Sequence, residues 1–107
     1  MAIPIARPPN VPKHIWEDIG FWDPPYFRTI VRGFETRMHN ILFAHPAQMY
    51  VATFVYDYYA DISISYTDAF DRTKFMTHRF WNTRYVFSDI DTVCYNLNLL
   101  ALAAKSL

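Results

Sequence analysis

The sequence predicts an all-α fold: an extended proline-rich N-terminal arm, an amphipathic helix over about 25–44, a long helix over about 46–80 and a C-terminal helix over about 89–105. Three observations predict it. All seven prolines lie at or before position 46, so the rest of the chain is free of the strongest helix breaker. Apolar residues after Pro25 recur at helical spacing. Only two glycines, Gly20 and Gly33, punctuate 107 residues, and no turn residues mark hairpin ends. Two parts follow: residues 1–24 as arm and aromatic-rich segment, and residues 25–107 as a single helical domain.

The arm, Met1 to Pro12, carries Pro4, Pro8, Pro9 and Pro12, which favour polyproline II or irregular backbone. It reads either as a disordered tail or as a strap along a partner, anchored by Ile3, Ile5 and Val11. Residues 13–27 then gather Trp16, Phe21, Trp22, Tyr26 and Phe27. A helical turn around His14–Ile19 ends at Gly20, a residue suited to the position after a helix. Asp23-Pro24-Pro25 supplies a turn and a helix start, because proline in the first turn forfeits no hydrogen bond.

From Phe27, the residues Ile30, Val31, Phe34, Met38, Ile41 and Leu42 fall on one stripe at 100° per residue. Gly33 inside this helix costs ~1 kcal/mol against alanine, which suggests a close backbone approach. His45-Pro46 breaks the helix, and Pro46 then opens the next. Up to Tyr56 that helix is apolar on every side. Beyond it, Asp57, Asp61, Asp68 and Asp71 share an arc of about 80°. Tyr59, Ile62, Tyr66, Phe70, Thr73, Thr77 and Phe80 lie opposite. Residues 62–66 also alternate like a strand, and that reading stays open. Ser88 and Asp91 then suggest a capping box for the last helix. Ile90, Val93, Cys94, Leu97, Leu100, Ala101 and Ala104 form its main face. Tyr95, Leu99 and Leu102 lie elsewhere on it, so it is apolar nearly all round and expected to be covered by neighbours.

Composition narrows the function. Ten basic and ten acidic side chains cancel, which argues against nucleic acid as a partner. A single cysteine excludes an internal disulfide framework and a four-thiolate metal site. Aromatics reach 19 %, a proportion that suggests surfaces meeting something other than water. No HExxH, GxSxG, P-loop or dinucleotide fingerprint occurs. Cys94 sits on an apolar face without a base. The four histidines, His14, His39, His45 and His78, show no metal-ligand spacing. The sequence therefore predicts no catalytic residue, no cofactor and no metal.

Nineteen residues between Arg37 and Asp57 carry no formal charge, about the length that crosses a ~30 Å hydrocarbon layer. Arginines precede this stretch and aspartates follow it, with aromatics at both ends. His39, Asn40, His45, Pro46, Gln48 and Thr53 oppose insertion. Two readings stand for 38–56: a marginal transmembrane helix, or a helix buried in protein. Beside it, Arg28, Arg32 and Arg37 with Trp22 and Tyr26 form a candidate contact for an anionic phospholipid. An acidic stripe over 57–71 and a basic one over 72–84 suit contacts with oppositely charged neighbours or with a second copy.

No single family motif is present. The general build is similar to that of small accessory subunits of mitochondrial inner-membrane complexes, the ATP synthase or a respiratory complex. The arm, the aromatic–basic flank WEDIGFWDPPYFRTIVRGF and the one marginal apolar segment carry that likeness. It implies a structural accessory subunit in the mitochondrial inner membrane, held by other subunits through Ile3, Ile5, Trp16, Phe21, Tyr59, Tyr66 and Phe70. The alternatives are a soluble intracellular α-helical adaptor and a small carrier of apolar ligands.

Overall fold

A computed structural model of the chain describes Arg7 and residues 9–107. Its elements run α1 (Lys13–Asp18), α2 (Pro24–Ala44), β1 (Met49–Val55), β2 (Tyr59–Thr67), β3 (Thr73–Trp81) and α3 (Val86–Ala103). The fold is α+β, and the all-α expectation is overturned. Residues 46–80 form no helix: they make a three-stranded antiparallel sheet in the order β1-β2-β3. Ile3 and Ile5 lie outside the described residues.

Burial alternates with period two along β1 and through residues 59–64 of β2, as it does in a strand and not in a helix. Met49, Val51, Thr53 and Val55 turn toward the helices, while Tyr50, Ala52 and Phe54 turn away. In β2, Ala60, Ile62 and Ile64 are buried, and Asp61, Ser63 and Ser65 face the other way. The pairing runs from Met49↔Tyr66 to Val55↔Ala60 and from Tyr59↔Trp81 to Thr67↔Thr73 without a bulge. The aspartates that imitated a helical face belong to turns and strands. Asp68 closes the β2–β3 turn by accepting the backbone N–H groups of Phe70 and Arg72, both at 2.9 Å. Asp71 takes a left-handed φ of 62°, which a short polar side chain tolerates better than most. Turn chemistry is present, carried by aspartate in place of glycine.

The helices follow the sequence more closely. α1 ends as expected, with Gly20 at φ 88° just beyond its C-cap Ile19. α2 starts at the Pro24-Pro25 pair and buries Phe27, Ile30, Val31, Phe34 and Met38. Gly33 is a correction: a Cβ there would meet nothing within 4 Å. α3 begins at Val86, three residues before the expected start, so Ser88 lies inside it and the capping box does not form. Its Ile90, Val93, Cys94 and Leu97 join the α2 stripe and the inward residues of β1–β3 in one core. Phe34 and Phe80 meet edge to face across that core, 5.0 Å apart. Tyr95, Leu99 and Leu102 stay exposed.

Residues 38–56 are divided among the end of α2, a turn and β1, so the expected transmembrane helix is absent. Among the described residues no helix is long and apolar enough to cross a membrane. The adaptor alternative, which takes 47–60 as its core helix, is corrected in the same way: that stretch is β1, a turn and the start of β2.

Candidate functional site

Both long helices cover one face of the sheet; among the described residues, the other face meets Val11 and α1 at its Trp81 end and leaves Tyr50, Phe54 and Phe75 exposed. The register sets its composition. Phe54, Asp61 and Arg79 form one row, Ala52, Ser63 and Thr77 the next, and Tyr50, Ser65 and Phe75 the third. Small residues thus form a shallow floor between aromatic ends. Tyr50 is 80 % exposed, Phe54 54 % and Phe75 77 %. Ordinary core burial would cover such rings, so their exposure is a property of this face.

One end of the face is organised electrostatically. Arg79 donates from Nε to Asp61 Oδ1 at 2.7 Å and from Nη2 to Oδ2 at 3.1 Å. Its guanidinium lies 4.0 Å from the Tyr59 ring centroid and 5.4 Å from that of Trp81. Its hydrogen bonds to Asp61 hold its pKa above the usual arginine value, against the opposing effect of burial. Tyr56, Tyr59, Trp81 and Trp16 continue as a chain of ring contacts, the last reaching α1. Val11 is 2 % exposed yet does not belong to the helix-side core. With Phe54, Ser63, Thr77 and Trp81 it lines a groove of about 630 Å³.

Asn82 locks this end in place. Fully buried, it accepts the Trp22 backbone N–H at 3.0 Å and donates to the Trp22 carbonyl at 2.8 Å and the Asp57 carbonyl at 3.0 Å. Its own N–H donates to the Tyr58 carbonyl, and its carbonyl accepts from Gly20. One side chain and its backbone thus join the α1–α2 linker, the β1–β2 turn and the end of β3. The Asp57–Tyr58 turn needs no glycine because tertiary hydrogen bonds hold it.

The expected site residues are dispersed. Trp22 packs with Phe21, Tyr26 and Phe87, and Arg84 lies over Phe21. Arg28 is bonded to Asp57 at 3.1 Å and Arg37 to Asp91 at 2.6 Å. Arg32 is exposed and, among the described residues, holds no carboxylate. Arg37 is nine residues from Arg28, on the opposite side of α2. The lipid candidates therefore do not converge on one anion position. Among the partner candidates, Trp16 and Tyr59 join the ring chain on the open side, Tyr66 is half-buried on the helix side, and Phe70 projects from the β2–β3 turn.

Charges also close on themselves. Besides Arg28–Asp57, Arg37–Asp91 and Arg79–Asp61, the pairs are Arg72–Asp68, Arg84–Asp18, Lys105–Asp71 and Lys13–Glu17. The acidic and basic stripes of the sequence meet within one chain. Cys94 is buried, and that burial raises its thiol pKa despite the charge of Arg37. Among the described residues no three His, Cys, Asp or Glu side chains gather as a metal site. The sequence reading missed Tyr50, Phe54, Phe75 and Asn82. No polar–apolar alternation in Tyr50-Val-Ala-Thr-Phe-Val55 marks the first two, because β1 is apolar on both of its faces.

The chain shows no match to a protein-family model, to a curated protein or to a solved structure.

Proposed function

We propose that the chain is a non-catalytic structural subunit that docks on another protein through the open face of its sheet. The observation that carries this is the exposure of Tyr50, Phe54 and Phe75 on the sheet face opposite the helices. Burying these rings is worth on the order of 2 kcal/mol each, which association costs of at least ~4 kcal/mol would largely consume. The contact must therefore extend over the small residues between them, toward the ~1,600 Å² of a standard interface. The internally paired charges favour an apolar, electrically neutral partner surface over an acidic or basic one. The proposal keeps the assembly part of the sequence expectation and leaves out the membrane span.

The test is the native mass of the tagged full chain in its own cells. The reading predicts a complex larger than two chains, and its loss when Tyr50→Ser and Phe54→Ser are combined without a change in far-UV circular dichroism. An unchanged mass in that variant contradicts it.

A further inference from the structure

The two outer strands of the sheet are treated differently. Hydrogen bonds from Thr67 to Gln48 and from Tyr56 to Tyr59 fix which residues of β1 bond to β2: the even-numbered ones. The outward backbone groups of β1 thus belong to Met49, Val51, Thr53 and Val55, all buried or half-buried. On β3, the bond from Asp68 to Arg72 assigns the inward role to Lys74, Met76, His78 and Phe80. Among the described residues, Thr73, Phe75 and Thr77 therefore present unpaired N–H and C=O groups at the edge, and every residue from Thr73 to Thr77 is exposed. On this half of β3, Phe75 stands on the face away from the helices at 77 % exposure, and Met76, on the helix side beside Val93, Leu97 and Leu100 of α3, is 44 % exposed. Folded proteins ordinarily protect an edge with proline, a bulge or a cover. Among the described residues, this segment has none of them and a single cation, Lys74, which holds no carboxylate.

We infer that residues Thr73–Thr77 pair antiparallel with the same residues of a second copy, joining two three-stranded sheets into one of six. The inference shares with the proposed function the premise that bare surface is contact surface, but it uses the edge and leaves the face available. Antiparallel pairing about Phe75 sets Thr73 against the partner copy's Thr77, bonds the outward groups of both strands, and stacks the two Phe75 rings at the axis. The charges agree. Lys74 stands opposite the partner copy's Met76 and one diagonal step from its His78, whose ring nitrogen lies 3.1 Å from the Asp89 carboxylate. The unpaired ammonium is thereby brought toward that carboxylate, twice by symmetry. The far half of β3 takes no part, since α1 and Val11 occupy the space around Trp81.

Sedimentation of the purified full chain over micromolar to submillimolar concentrations tests this. The inference predicts a species of twice the 12.7 kDa chain mass. Thr77→Pro removes an outward N–H and spares the ladder to β2, so it should weaken the dimer ~10–100-fold at unchanged melting temperature. Lys74→Glu and Asp89→Lys should each weaken it, and mixing the two variants should restore a heterodimer. If Asp89→Lys does not fold, Thr77→Pro and Lys74→Glu still decide. A monomer at all concentrations overturns the inference, as does a dimer indifferent to Thr77→Pro. Should the purified chain be monomeric while Tyr50→Ser with Phe54→Ser abolishes the cellular complex, self-pairing falls and face docking stands. A dimer in vitro with no larger cellular complex reverses that result.

Discussion

Asn82 is the residue on which the interaction end of the sheet depends. Its fully buried side chain pairs three part-buried backbone groups, the Trp22 N–H and the Trp22 and Asp57 carbonyls. Asn82→Ala is expected to destabilise the fold by about 3 kcal/mol, measured by urea denaturation, because the cost lies in the unpaired groups left behind. Gly33 has the opposite character. It sits in the interior of α2 with open space where a Cβ would stand. Gly33→Ala should raise stability by about 1 kcal/mol, read as a higher melting temperature. A close helix contact, the reading its sequence position invited, would make the same substitution harmful.

At the scale of elements, legibility tracks the strength of one periodic signal. α2 is legible because seven apolar residues keep one phase and a proline pair fixes its start. α3 is legible in its face but not its start, since the Thr83 hydroxyl and not Ser88 supports the entry, accepting the Tyr85 N–H. The sheet was hidden by two coincidences. β1 is apolar on both faces, which hides alternation, and the turn aspartates happen to recur at helical intervals. The turns themselves lack glycine because Asp68 and Asn82 supply the hydrogen bonds. The shared face of Tyr50, Phe54 and Phe75 could not be assembled from sequence, since only the strand register places them on it.

The pair Asp18–Arg84 joins α1 to the loop before α3. Burial raises the Asp18 pKa, but hydrogen bonds from the Arg84 side chain and backbone, with its charge, bring the net value below the ordinary carboxylate. A depressed folded-state pKa contributes stability that is full above the unfolded value of ~3.9 and is lost as pH falls toward the folded value. Asp68 is lowered in the same direction by backbone hydrogen bonds from Arg72 and Phe70. Denaturation midpoints should therefore decline below about pH 4. Asp18→Asn should shrink that decline, and an identical acid profile in the variant would dismiss the pair as its source.

The chain is formally neutral, and five of its seven arginines are paired with carboxylates of the same chain. Attraction between distant charged patches is therefore a weak source of recognition here, and contact through the aromatic sheet face should respond little to salt. The measurement that bears most directly on that face is photo-crosslinking in the native cell, with a benzophenone amino acid at position 54 and, as a control, at position 33. The account predicts adducts to a different protein from position 54 and none, or far fewer, from position 33 on the outer side of α2. Equal adducts from both positions, or adducts from neither, would contradict it.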